Sequence, residues 1–174
     1  MIILAYIFIK GFNLPQKIYK NMYPKQYEEY VLKYADEYQI DPLLVFAMIK
    51  AESNFNKDAV SKSNAVGLMQ LMDTTAEELA NKLNIEYTKN VLLDPETNIK
   101  LGTKYYQELY ERYGNEVLAL AAYNAGRGKV NEWISKGILK EDGSNAEDIP
   151  YRETNNYVRK ILRDYEIYKE LYEN

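Results

Sequence analysis

Apolar positions recur at steps of three and four through Tyr27, Val31, Tyr34, Ala35 and Tyr38, with charged residues between them, so the chain from Lys25 to Gln39, opened by Pro24, reads as an amphipathic helix. Asp41-Pro42 then places an N-cap directly before a proline at the first helical position, and the spacing predicts a helix from Pro42 to Asn54. Asp94-Pro95 repeats that signal for a helix over Glu96 to Tyr113, closed by Gly114. Between them, Thr74-x-x-Glu77 reads as a capping box for a helix reaching about Leu83. Two shorter helices follow: Asn115 to Asn124, with Gly126 after it, and Gly128 to Lys136, stopped by Gly137. Pro150 initiates a last long helix through Tyr172. No β-alternating run and no repeat at a period of about 20 to 50 residues breaks this pattern, so an all-α fold is expected. The stretches 55–71, 84–93 and 138–149 read as irregular, either surface loops or site-forming strips.

One helix differs from the others. Leu43, Leu44, Val45, Phe46, Ala47, Met48, Ile49 and Ala51 leave the Pro42 to Asn54 segment with no polar face except near Lys50, as expected of a helix running through the middle of a domain. At about 100° per residue, Glu52 falls between Met48 and Val45, opposite Lys50, so a carboxylate faces the apolar surround. Desolvation and the negative end of the helix dipole both favour its protonated form, which is what a general acid needs. By itself the feature is weak, because a Glu in a last helical turn is more often solvated or paired.

Composition narrows the chemistry. A length of 174 residues fits one domain. Cysteine and histidine are both absent, which removes disulfides, thiol nucleophiles, Ser-His-Asp triads and Cys/His zinc sites; acid-base work falls to carboxylates, Lys or Tyr. A net charge of −4 gives no footprint for nucleic acid, and none is expected as a partner. The 18 tyrosines supply apolar faces with hydroxyl handles, suited to a polar groove as well as to half-buried packing. At the amino terminus the apolar run Met1 to Ile9 is too short to span a bilayer. It lacks both a positive n-region and an Ala-x-Ala cleavage site, so residues 1–12 read as a curtailed export signal or membrane anchor. A buried amino-terminal element is the alternative. Residues 13–174 then form the domain, placed outside the cytoplasm, secreted or membrane-anchored at the cell envelope, and expected as a monomer.

Further along, Ser61-Lys62-Ser63-Asn64-Ala65-Val66-Gly67-Leu68-Met69-Gln70-Leu71-Met72 combines a glycine that permits close backbone approach with an amide and two thioethers, the chemistry of a sugar subsite. Singly, each feature has a plainer reading: Gly67 as a turn, Asn124 as a C-cap, Glu153 in a first turn favoured by the dipole. In order along the chain, however, four groups stand together. They are Glu52-Ser53; Gly67-Leu68-Met69-Gln70; Ala122-Tyr123-Asn124-Ala125-Gly126; and Ile149-Pro150-Tyr151-x-Glu153-Thr154-x-x-Tyr157-Val158. This order resembles the motifs of the soluble-type lytic transglycosylase catalytic domain, related in fold to goose-type lysozyme, over about Tyr27 to Tyr168.

The resemblance implies a lysozyme-like helical domain with a substrate groove and a peptidoglycan glycan strand as substrate. The reaction it implies is cleavage of the β-1,4 bond between N-acetylmuramic acid and N-acetylglucosamine, leaving a 1,6-anhydromuramoyl end, with no metal and no cofactor. It assigns the acid/base role to Glu52 and substrate contacts to Ser61, Gln70, Met72 and Tyr123, with Ser63 as a second candidate for the serine. Asn124 is expected to contact sugar or fix its loop, and Glu153 to support the surrounding hydrogen bonds. Two positions depart from the family pattern: Asn64 stands where Gly is usual, and Arg127 where Pro is common. The nearest rival is a goose-type lysozyme-like hydrolase with the same acid. A non-catalytic peptidoglycan-binding module is disfavoured by the cost of burying Glu52 for no purpose, and a plain helical interaction protein leaves the order of motifs to coincidence.

Overall fold

A computed structural model describes residues 16–173 and folds them into eight α-helices. They are α1 (Gln16–Met22), α2 (Glu28–Glu37), α3 (Pro42–Glu52), α4 (Asp73–Lys82), α5 (Pro95–Tyr113), α6 (Glu116–Ala125), α7 (Arg127–Ser135) and α8 (Arg152–Tyr172), with 3-10 turns at Lys89–Leu93 and Ala146–Asp148. The all-α expectation holds: among the described residues the only β pairing is two isolated bridges, Val60 with Val66 and Val66 with Leu71. The segment 1–12, read as an export or anchor remnant, lies outside the described residues. Among those described, no helix is long and apolar enough to cross a membrane.

Helix α3 is the axis of the core. Leu43 through Ile49 are buried without interruption, which accounts for the missing polar face, and α8 and α2 pack against it. Its start is fixed as the Asp-Pro signal requires: the Leu43 N–H donates to Asp41 Oδ1 at 2.8 Å. The other oxygen of that cap, Oδ2, accepts from the Tyr165 hydroxyl at 2.6 Å and so ties α3 to α8. Asp94 caps α5 through the Thr97 N–H at 2.8 Å, and Gly114 closes it in the left-handed conformation at φ 68°.

One expectation fails and one helix was not foreseen. The capping box at Thr74 does not form; α4 begins one residue earlier, at Asp73, after Met72, which has no side chain able to cap. Asp73 is engaged elsewhere, accepting from the Tyr87 hydroxyl at 2.6 Å. Helix α1 packs against α8. Just beyond it, the Tyr23 ring meets Tyr168 edge-on at 5.5 Å, while the hydroxyls of Tyr168 and Tyr172 donate to the Pro24 and Tyr23 carbonyls at 2.8 Å each.

The irregular stretch after α3 is more ordered than a surface loop. Ala65, Val66, Leu68 and Met69 are buried, and Val66 and Leu71 join Leu79, Ala80, Leu92 and Leu101 in a second, smaller core. Asn98 of α5, wholly buried, holds the stretch in place. Its Oδ1 accepts the Met69 N–H at 2.8 Å, and its Nδ2 donates to the carbonyls of Val66 at 3.0 Å and Leu92 at 2.9 Å. Gly67 sits here at φ 82°, where a Cβ would fall 2.2 Å from Asn98 Nδ2 and 2.4 Å from the Leu92 oxygen. Only glycine satisfies both the backbone and the space.

Candidate active site

Glu52 is the last residue of α3, partly exposed, with its carboxyl directed to α8. The Tyr157 hydroxyl donates to Oε1 at 2.6 Å. Burial pushes the carboxyl up from 4.5 to about 7, against the opposing pull of the Tyr157 hydrogen bond and the Lys160 cation. No second carboxylate is among the groups that act on it. Lys160, one turn beyond Tyr157, also donates to the Ala51 carbonyl at 3.3 Å, at the end of α3. Burial and the neighbouring Glu52 carboxylate raise the hydroxyls of both Tyr123 and Tyr157 well above 10, so both stay protonated.

The buried strip 65–69 is tied to the end of α3 and is gripped from both sides. The Ser53 hydroxyl lies 2.8 Å from the Leu68 carbonyl and 3.2 Å from that of Ile49, which gives the serine of the Glu-Ser pair a definite task. From α6, the Tyr123 hydroxyl donates to the Met69 carbonyl at 2.8 Å, and its ring packs 5.1 Å from Tyr105. Ser53, next to Glu52, and Tyr123 thus hold one strip that ends in Gln70.

The structure redefines what the sequence-predicted residues can offer a ligand. Gln70, at φ 48°, spends its amide hydrogens on the carbonyls of Ala59 and Gly67 at 3.0 and 2.9 Å. Tyr123 spends its proton on Met69, so both present acceptor oxygens and suit a ligand N–H. Ser61 Oγ accepts the N–H groups of Ser63 and Ala65 at 3.2 and 3.0 Å; it organises its turn and keeps its own hydrogen to donate, whereas Ser63 is exposed. Met72, 44% exposed, stands at the far end of the same strip. Asn124 Oδ1 accepts the Thr154 hydroxyl at 2.7 Å, joining the end of α6 to the start of α8, so of its two expected tasks the structure shows the fixing of a loop.

Glu153, expected to support the site, is exposed in the first turn of α8 and enters none of the hydrogen bonds or ion pairs among the described residues. Tyr157 holds the acid instead. The signal for this lay in the helical period: Thr154, Tyr157, Val158 and Ile161 form the inward stripe of α8, and Glu153 falls off it. Among the described residues no group of three or more His, Cys, Asp or Glu side chains is placed to hold a metal ion.

Comparison with known proteins agrees with this geometry. The Transglycosylase SLT domain family matches residues 29–143. The soluble lytic murein transglycosylase of Escherichia coli K12 is 35% identical over 144 residues, covering 80% of this chain and 22% of that protein. The crystal structure of the 70 kDa soluble lytic transglycosylase from Escherichia coli superposes with a TM-score of 0.81 at 33% identity, covering 87% of this chain and 25% of that one. An inactive mutant of the lytic transglycosylase Slt from Pseudomonas aeruginosa, in which a glutamate is replaced by glutamine, superposes at 0.76 with 35% identity, covering 85% of this chain and 24% of that one. The chain spans about a quarter of the length of these relatives. A lone proton-holding carboxyl at the end of a buried helix, a glycine strip beside it and a fold shared at this identity lead to one conclusion: the chain belongs to the transglycosylase SLT domain family.

Proposed function

We propose that this domain cleaves the β-1,4 bond between N-acetylmuramic acid and N-acetylglucosamine in peptidoglycan and closes the muramoyl end as a 1,6-anhydro ring. The observation that carries the reading is Glu52, protonated near neutral pH and without a second carboxylate acting on it. Because Tyr157 donates to Oε1, Oε2 is left to carry the acidic proton. That proton passes to the glycosidic oxygen as the bond to C1 breaks. The resulting carboxylate then takes the proton of the C6 hydroxyl while O6 bonds to C1, so one residue is acid and then base. Ordinary glycosidases place two carboxylates about the bond. Here the substrate's own acetamide steadies the oxocarbenium-like centre, its N–H within the acceptor chemistry of Tyr123 and Gln70. Glycan strands lie outside the cytoplasm, and the domain acts there as a monomer, with residues 1–12 as export or anchoring segment.

Mass spectrometry of fragments released from purified sacculi tests the reaction: anhydromuramic ends are expected. Reducing ends that carry labelled oxygen from water would establish the hydrolase instead. The pH profile follows from the same carboxyl. Since the acid works protonated, the rate of kcat/KM falls as pH rises through about 7. Lys160→Met removes a cation that favours the carboxylate, so this basic limb is expected to move to higher pH, while Lys160→Arg leaves it near its original place.

A further inference from the structure

Among the described residues Asp164 is the only charged side chain that is wholly buried, and the mechanism above makes no use of it. It belongs to a seam in which the last turn of α3 meets α8 at three successive points. Tyr157 donates to Glu52 Oε1 at 2.6 Å, Lys160 donates to the Ala51 carbonyl at 3.3 Å, and Lys50 Nζ lies 3.8 Å from Asp164 Oδ2. Residues 52, 51 and 50 are thus taken in order by positions 157, 160 and 164, a spacing that keeps all three contacts on one side of α8. The third point is built differently from the other two. Asp164 Oδ1 accepts Arg163 Nε and Nη2 at 3.1 and 2.8 Å and the Tyr23 hydroxyl at 3.4 Å. Oδ2 has no hydrogen bond among the described residues, and its ion pair is with Lys50, whose ammonium also stands 4.6 Å over the Tyr23 ring.

We propose that Asp164 is a positioning residue for the acid: by drawing Lys50 onto α8 it fixes how far the last turn of α3 stands from that helix, and so seats Glu52 on the Tyr157 hydroxyl. The inference rests on the acid role of Glu52 given above for its consequence in catalysis. A buried ion pair adds little to stability over two well-packed apolar side chains and often costs some. What this one supplies is a fixed spacing, because moving Lys50 away would leave Oδ2 buried with no partner at all. Glu52 itself meets Tyr157 and Lys160 from α8, and its charge reaches Tyr123 of α6. Lys50 is not among the groups that act on the Glu52 carboxyl, so a change at the Lys50–Asp164 pair reaches it by shifting α8 against α3.

The paired replacement Lys50→Met with Asp164→Leu separates position from stability. It leaves the net charge unchanged and exchanges a buried ion pair for apolar side chains of similar volume, while Arg163, 58% exposed, turns to water; Tm is expected to hold or rise. The Glu52 carboxyl is expected to move up from about 7 to about 8, because the Tyr157 bond that favours the carboxylate slackens while burial persists. Its resonance in carbon NMR, assigned by its loss in Glu52→Gln, reads this without substrate and so apart from the peptidoglycan reading, which stands or falls on anhydro ends. The basic limb of kcat/KM should move with it. In a Tyr157→Phe background the paired replacement should add no further shift, and Lys50→Arg, which keeps the cation, should leave the titration in place. An unmoved Glu52 titration in the paired variant overturns the proposal, as does a shift of equal size with and without the Tyr157 hydroxyl. If the paired variant does not fold, Lys50→Met alone is read in the same way and decides the matter.

Discussion

Glu52→Gln is expected to lower turnover on intact sacculi by about 10³- to 10⁴-fold or more, with the fold preserved. General acid-base catalysis contributes about 10² to 10⁴ per step, and in the proposed mechanism one carboxyl serves both proton transfers. Glutamine keeps the size of the side chain and can still accept from Tyr157, so circular dichroism should be unchanged. Stability should behave in a way that identifies the group. The folded carboxyl titrates near 7 against an ordinary value of 4.5, so between these values the native state holds the extra proton. Its contribution is intact below about pH 4.5 and is lost as pH rises through 7, reaching about 3 kcal/mol. Glutamine does not titrate. Urea unfolding should therefore show wild type and variant alike near pH 4 and the variant more stable by up to that amount at pH 8. Near-wild-type turnover in the variant would remove Glu52 from the catalytic role.

The largest effect on stability is expected at a residue far from any motif. Asn98→Ala leaves the Met69 N–H and the carbonyls of Val66 and Leu92 without their buried partner. Unsatisfied buried groups cost about 1 to 3 kcal/mol each, so a total of about 4 kcal/mol is expected, or about 12 °C in Tm for a chain of this length. The same substitution frees the strip whose carbonyls Ser53 and Tyr123 hold. Turnover per folded molecule should therefore fall too, read as kcat at a temperature where circular dichroism shows the variant native. A variant as stable as wild type would mean that the strip is held without Asn98.

The legible part of this protein is what local chemistry writes into consecutive residues. Asp41-Pro42 and Asp94-Pro95 mark helices because cap and proline act within one turn, and the inward position of Glu52 follows from seven consecutive buried neighbours on its own helix. Partners supplied by distant segments are harder to read. Tyr157 meets Glu52 across 105 positions and Asn98 meets Met69 across 29, and no spacing rule spans such gaps. For Gln70 and Tyr123 the sequence shows an amide and a hydroxyl but not their polarity towards a ligand, because the carbonyls that take their protons are fixed only by the fold. Thr74 misled because the helix starts at Asp73, which places Thr74 inside the first turn instead of at the cap.

On the proposed reading, the burial of Glu52 also sets the order in which this molecule becomes active. Until α8 docks on α3, Glu52 is a solvated side chain with an ordinary affinity for protons, almost wholly ionised at neutral pH and useless as an acid. Its proton arrives only with the burial that the folded domain provides. On that reading an unfinished or loosened chain is chemically silent, and acid chemistry begins only when assembly has ended.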